Sequence, residues 1–466
     1  MASTIKVDNV QNQPGTNIVS KCGTDVTLGA SGDTVALASG ATQTGFGRTG
    51  TVDWLTAVKV TGDSPITGVD GKGYFLNTTA GTITVNLPAG AAGSIIAFKD
   101  YAGTWDTNNV TVTPNGSEKI AGIVGSAALS TERQSVTLIY IDSTQGWLDI
   151  HDSTSDVQVA KFVTATGGTP CAGAVVCTNF KQHTFTGPGT FCVSCAGNAG
   201  GSNTADYLVI AGAGGGGYNS SSSPSPDGGR GGAGGAGGYR ESSGTATGCY
   251  TVSPLGAGVA ALSVTATGYP ITVGGGDPSG TPPGVGSNSI FSTITSNGGG
   301  RGGVGQTLTD GTAGASGGGS GTYGGAGAIG AGNTPPTSPP QGNDGGLGVE
   351  GSPAYGGGGG GGATAVGFDG STAAGGNGGT GATSSINATP TARAGGGGGA
   401  TGAAGPTKGC GTGGGGDGAA LSCAPSTGGS GTANTGGGGG GSGGPNFGGT
   451  GGTGGSGVVI IRYKFQ

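Results

Sequence analysis

The sequence predicts an all-β protein whose C-terminal half is a polyglycine II helix bundle, preceded by small antiparallel β-sandwich modules and a short N-terminal segment. Three observations predict this. Apolar and polar residues alternate strictly in stretches such as Thr82-Ile83-Thr84-Val85-Asn86-Leu87, the period of a half-buried strand. Glycine supplies 120 of 466 residues and is concentrated at 212–457, with unbroken runs at 356–362 and 436–441. The one strong strand after residue 300, Val458-Val459-Ile460-Ile461-Arg462-Tyr463, closes that block.

Glycine has no Cβ and loses the most backbone freedom on folding, so composition alone suits a flexible linker. The strands on either side argue for an ordered body. Collagen requires glycine at every third position with abundant proline, whereas these runs are broken by Asn, Ala, Thr and Ser. What remains is a bundle of extended, three-per-turn helices whose bare backbones approach closely and exchange hydrogen bonds. At ~3.1 Å per residue, a seven-residue run spans roughly 20 Å. Ordering each residue costs ~1–2 kcal/mol and a backbone hydrogen bond returns only about 1 kcal/mol net, so each helix must have many neighbours.

In chain order, residues 1–50 are small and polar, with short apolar pairs at Ile18-Val19, Val26-Thr27-Leu28 and Val35-Ala36-Leu37. They bury too little to fold alone and read as an attachment and oligomerisation segment, with a hinge at 45–54. Residues 51–160 carry alternating strands and turns such as Pro114-Asn115-Gly116, which predict an antiparallel sandwich with Phe98, Trp105 and Trp147 in its core. Residues 161–210 form a β connector. Pairing of Tyr207-Leu208-Val209-Ile210 with the closing strand at 458–466 would staple the glycine block, 211–457, to a sheet. Within the block, 239–297 holds apolar stretches that predict a hairpin subdomain. The other richer segments, 218–227, 333–344, 363–374, 382–394 and 419–427, become loops at the ends of the bundle, where binding residues are displayed.

Aromatic residues make up 5% of the chain and charged residues 9%, with a net charge of −6. There is no basic stripe for nucleic acid, no run of ~18 apolar residues to span a membrane and no apolar segment behind a basic start that would direct export. Among eight cysteines, Cys171, Cys177, Cys192 and Cys195 allow three readings: zinc ligands, a local Cys171–Cys177 disulfide alongside Cys410–Cys423, or buried free thiols. No metal and no cofactor is expected.

Several stretches are familiar. MASTIKVDNV, SGDTVALASG, TGFGRTGTVDW, NVTVTPNGSEKI, DSTQGWLDI, HTFTGPGTF and GGSGVVIIRY resemble tail-fibre, receptor-binding proteins of aquatic, cyanophage-like bacteriophages. The glycine block is similar in kind to the adhesins of T-even-type phages. The resemblance implies a homotrimer fixed to a phage tail or baseplate protein through its N-terminus. It also implies a polyglycine II sandwich whose end loops touch a host surface protein or glycan, and a virion component that is made in the host cytoplasm and released by lysis. It departs from those adhesins in carrying the block on its own shaft.

Candidate receptor contacts are the aromatic and cationic residues of the loops: Tyr218, Tyr239, Arg240, Tyr323, Tyr355, Phe368, Arg393 and Phe447. Tyr and Arg supply contact area and oriented donors at modest entropic cost, and the 382–394 loop is the first to test. Such residues also suit a plainer role, capping the bundle. Catalysis is not expected. Asp227, Asp277, Asp310, Asp344, Glu350, Asp369 and Asp417 are scattered, whereas a glycosidase needs two carboxylates about 5–9.5 Å apart. His151 and His183 lie in or beside strands, and the Gly-x-Gly-x-x-Gly matches open no helix. The alternative class is a secreted structural or ice-binding protein, against which stand the missing export signal and the N-terminal β modules.

Overall fold

The structure is a computed structural model. It describes the backbone of residues 9–11, 17–22 and 25–28 and, in full, residues 52–153, 160–198, 201–219, 229–244, 249–278, 282–306, 309–322, 327–351, 355–402, 407–420, 426–443 and 449–466. The chain divides into two compact units, Met1–Val157 and Gln158–Gln466. The described residues are all β apart from one 3-10 turn, Thr61–Asp63, and none of their helices is long and apolar enough to cross a membrane. In the N-terminal segment, Asn9–Gln11, Asn17–Cys22 and Asp25–Leu28 form an antiparallel sheet. The expected strand at 34–37 and residues 45–51 of the expected hinge lie outside the described residues, while Asp53 and Trp54 of that hinge belong to the strand Asp53–Val60.

The first unit corrects the expected antiparallel sandwich. In chain order its strands alternate between two sheets: Asp53–Val60, Lys72–Asn77 and Ile95–Asp100 pair in parallel in one, and Ile66–Thr67, Ile83–Asn86 and Val110–Thr113 pair in parallel in the other. The backbone therefore winds as a coil, each strand lying beside the one two before it. Only then do Ser135–Asp142 and Gly146–Ser153 close the larger sheet as an antiparallel hairpin, while Ala127–Leu129 closes the smaller. Alternation specifies which face of a strand is buried, not the direction of its neighbour. The core is as expected: Phe98, Trp105 and Trp147 are fully buried with Ile83, Val85 and Val110.

In the second unit a six-stranded sheet contains, side by side, Thr169–Val176, Phe180–Phe185, Val458–Lys464, Thr204–Ile210 and Tyr239–Glu241. The pairing expected from sequence is present: the closing strand lies antiparallel to Thr204–Ile210, with Tyr207 opposite Ile461 and Ile210 opposite Val458. It is also hydrogen-bonded on its other edge to Phe180–Phe185, so the connector, the glycine block and the closing strand share one unit. Both strands are buried on both faces. Tyr207, Val209, Val459 and Ile461 face a five-stranded sheet, while Leu208, Ile210, Val458 and Ile460 face the block. Residues 239–297 are not a separate subdomain, since Gly268–Thr272, Ser289–Phe291 and Ile294–Ser296 extend that five-stranded sheet. Cys177 is bonded not to Cys171 but to Cys249, 72 residues on. This also removes it from any zinc set; Cys171 and Cys410 are exposed free thiols, and Cys423 lies outside the described residues.

The glycine block crosses itself in straight passes, and residues 231–238 occupy the centre. Their N–H donors turn in sequence to three neighbours: Gly231, Gly234 and Gly237 donate to Ser442, Gly439 and Gly436; Gly232, Gly235 and Gly238 to Gly303, Gly300 and Asn297; Ala233 and Ala236 to Gly358 and Gly361. Their carbonyls accept from three others, among them Gly217 onto Gly232, Gly319 onto Ala233 and Gly397 onto Gly234. Partners recur at every third residue. The six surrounding passes, 211–217, 297–305, 315–322, 356–363, 395–402 and 436–443, also bond to one another in that order and close into a ring. The central pass is buried throughout. Its larger side chains, Arg230, Ala233, Ala236 and Tyr239, fall three apart on one side; the intervening glycines leave room for carbonyls.

Two outcomes follow from this packing. A methyl group on Gly234 would run into the Gly214 and Gly215 carbonyls, whereas one on Gly275 meets nothing within 4 Å. Gly234→Ala should therefore cost about 3 kcal/mol or more, because backbone cannot yield as a side chain does. Gly275→Ala should be neutral or stabilise by about 0.4–1 kcal/mol through the unfolded chain; chemical denaturation measures both.

His183 is the second case. It is fully buried, with Nδ1 2.6 Å from the Gly167 carbonyl and Nε2 3.1 Å from the Tyr463 hydroxyl. A carbonyl only accepts, so Nδ1 carries the proton and Nε2 accepts from Tyr463. Burial holds the imidazole pKa below its ordinary value. Its contribution to stability is thus complete above the unfolded pKa, about 6.5, and is lost as pH falls below it. The thermal midpoint of the second unit should fall between pH 7 and pH 5, and His183→Asn should flatten that dependence.

Candidate functional site

The bundle has two unlike ends. At one, the chain passes directly into the six-stranded sheet, and the turns there are packed against it. The 382–394 segment forms a hairpin, Ala382–Ser384 with Thr391–Arg393. Its Ile386 is buried among Leu208, Tyr239 and Ile460, while Ser385 Oγ donates to the Cys249 carbonyl at 2.8 Å and accepts from Thr251 N–H at 2.6 Å. The segment expected to touch a receptor is therefore anchored in the core through Ala382, Ser384, Ser385, Ile386, Arg393 and Ala394, and exposes Thr383, Ala388, Thr389, Pro390 and Ala392.

At the other end the described residues flanking each connection converge. Bridges join Asn219 to Gly305, Arg230 to Thr322, Val349 to Gly356, Ala374 to Thr407 and Ser426 to Gly443. Arg230 is buried at the start of the central pass, and its Nη2 donates to the Gly402 carbonyl at 3.0 Å. Thr401 N–H donates to Ala419 and Ala419 N–H to Gly441. The described residues that flank 220–228, 323–326, 352–354, 403–406, 421–425 and 444–448 thus all lie at one end of the bundle, opposite the sheet.

The candidate residues separate accordingly. Tyr218 and Tyr355 are half-buried at the far end. Tyr323 and Phe447 lie outside the described residues. Phe368 is 57% exposed on an outer pass along the side of the bundle. Arg240 is half-buried on the sheet strand Tyr239–Glu241. Tyr239 and Arg393 are 1% and 7% exposed, which withdraws them from a docking surface. The Tyr239 hydroxyl donates to Glu241 Oε2 at 2.9 Å, and Glu241 also accepts from Tyr250 at 3.0 Å and from Ser253 N–H at 3.1 Å. Burial, reinforced by the Glu241 charge, pushes both tyrosine hydroxyls far above their ordinary range. Burial likewise lowers the Arg393 guanidinium, with Tyr239 and Glu241 opposing.

The scattered carboxylates have structural work. Asp310, Asp344 and Asp369 accept from Ala328, Gly332 and Leu347 N–H, each at 2.7 Å, and Asp417 accepts from Gly411 at 2.9 Å. Each satisfies a donor on an outer pass where the lattice of neighbours ends. Among the described residues no group of three or more His, Cys, Asp or Glu side chains could hold a metal ion. Sequence reasoning missed Asp206 and Arg462, which lie opposite each other on the paired strands and are both fully buried. One acid in one apolar strand and one base in its partner was the available signal.

A model of the glycine-rich domain matches residues 186–464, which takes in every pass and, from the six-stranded sheet, Thr204–Ile210, Tyr239–Glu241 and Val458–Lys464, but not Thr169–Val176 or Phe180–Phe185. The chain belongs to this glycine-rich domain family. Separately, over 90 residues, 19% of the chain, the sequence is 29% identical to the baseplate wedge protein gp10 of Enterobacteria phage T4; the match spans 15% of gp10.

Because 382–394 is anchored in the core through Ala382, Ile386 and Ala394, exchanging it for a Gly-Ser linker of equal length should destabilise the glycine-rich domain. Ile386→Ala alone should cost about 2–5 kcal/mol, read by denaturant titration of tyrosine near-ultraviolet circular dichroism.

Proposed function

We propose that this chain is a phage tail fibre that attaches the particle to a host cell surface through the far-end connections of its glycine-rich domain, without catalysing a reaction. The observation that carries the reading is the inequality of the two ends. One is occupied by the sheet, so the connections at the other can vary in length and chemistry without disturbing a hydrogen-bonded pass. Tyr218, Tyr355, Tyr323 and Phe447 are the candidate contacts there, with Phe368 on the flank, and the partner is a surface protein or glycan. The likeness to a baseplate wedge protein supports a place in a phage particle, with the N-terminal segment meeting a tail or baseplate protein.

In this reading the block is a polyglycine II bundle, supported by hydrogen-bond partners that recur every third residue. At ~3.1 Å per residue, residues 231–238 extend about 25 Å, enough to hold the far end clear of the sheet. Three copies would assemble through the first unit. On its larger sheet Trp54 is exposed with its ring 5.0 Å from that of Phe75, beside the half-buried Ile139 and the buried Val52, Ile95 and Ala97.

Replacing connections 323–326, 403–406 and 444–448 with Gly-Ser segments of equal length should leave the thermal midpoint unchanged while abolishing the ability of purified chain to block phage adsorption. Undiminished blocking would reject the far end as the receptor-binding surface. Light scattering should give three times the 43.1 kDa chain mass, and Trp54→Lys should lower it.

A further inference from the structure

The bond between Cys177 and Cys249 spans 6.0 Å between Cα atoms and lies where sheet and bundle meet. On one side, the turn after Thr169–Val176 holds the C-terminal residues. Asn179 N–H donates to the Cys177 carbonyl at 2.7 Å, Phe465 N–H to Asn179 at 3.0 Å, and Gln466 Nε2 to Thr178 at 3.1 Å. On the other side, Cys249 precedes Tyr250 in the segment that follows the central pass and its strand, and its carbonyl is held by Ser385.

Between the two sits Arg462. Its guanidinium carbon is 3.6 Å from the Phe180 ring centroid and 5.1 Å from that of Tyr250. Tyr250 donates to Glu241 and Ser242, and Ser242 Oγ donates to Asp206 at 2.8 Å. A buried group of charges is stable only while water is excluded and every partner is held. The disulfide fastens the Phe180 side of this stack to the Tyr250 side.

We propose that Cys177–Cys249 is a redox lock on the joint between sheet and bundle, open in a reducing compartment and closed by an external low-molecular-weight disulfide. The thiolate of one cysteine attacks that disulfide and releases one thiol. The second cysteine then attacks the mixed disulfide, forming Cys177–Cys249 and releasing the second thiol. The two cysteines lose two electrons and two protons, and the external disulfide gains them. The proposal rests on the attachment reading only for the expectation that the chain passes from a reducing cell interior to an oxidising exterior.

The full-length protein, prepared under reductant, is treated with oxidised glutathione. The reactive thiol count should fall by two, with peptide mapping linking Cys177 to Cys249. The thermal midpoint of the second unit should rise by several degrees, and amide exchange at 177–180, 249–251 and 458–465 should slow. Trp54, Trp105 and Trp147 all belong to the first unit, so tryptophan fluorescence should report an unchanged midpoint and serves as an internal control. Cys249→Ser should melt like the reduced wild type and ignore oxidant; should it fail to fold, the two redox states of the wild type still decide. An unchanged thiol count, a different pairing such as Cys171–Cys177, or identical midpoints in the two states would overturn the proposal. None of these readouts involves a host cell, so failure of the attachment reading would register separately.

Discussion

The structure depends on the backbone hydrogen bond between two passes that have no side chains in the way. Fixing a glycine costs at least as much conformational freedom as fixing any residue, and one N–H···O=C bond contributes only about 1 kcal/mol net. A pair of passes would not hold. The central pass has six neighbours, donating to three and accepting from three, and every N–H from 231 to 238 has a carbonyl partner. Its bare α-carbons meet carbonyls of adjacent passes at most positions, adding weak Cα–H···O contacts of about 0.5–1 kcal/mol each. Cooperation of this kind demands completeness. At the periphery the lattice has to be finished by other means, and Asp310, Asp344, Asp369 and Asp417 lend side-chain oxygens to N–H groups that have run out of neighbours.

A bundle without apolar side chains has no hydrophobic core to set its register, and the sheet supplies one. Thr204–Ile210 and Val458–Lys464 are buried on both faces, which is why the closing strand reads as a continuous apolar run rather than an alternation. The first and last passes are anchored side by side in it. Arg462 and Asp206 face each other within this apolar pair of strands and connect through Ser242 and Tyr250 to Glu241 and Tyr239, at the end of the central pass. A slip of either strand would leave buried charges unmatched.

Much of the fold was legible in the sequence because it rests on local chemistry. Alternation marked the strands of the first unit, and the size of Phe98, Trp105 and Trp147 marked its core. The apolar stretches flanking the glycines indicated that the chain enters and leaves the block through one sheet. Strand direction was not legible: a turn such as Pro88-Ala89-Gly90 serves equally to reverse the chain within a sheet or to send it across to the other, as it does here. The candidate site was legible in kind but not in place. Tyr239, Arg393 and the 382–394 hairpin look like loop features, yet the end to which a turn belongs depends on how many passes precede it, and short glycine passes leave too few landmarks to count. The disulfide escaped for a related reason, since Cys177 and Cys249 meet only once the central pass has returned to the sheet.

Hydrogen exchange of the amides at 231–238 in the intact protein tests the central claim most directly. Full enclosure by six bonded passes predicts that these glycines exchange only through global unfolding, more slowly than the outer passes at 327–333 and 449–457. Exchange at the rate of an unstructured glycine-rich chain would contradict the account.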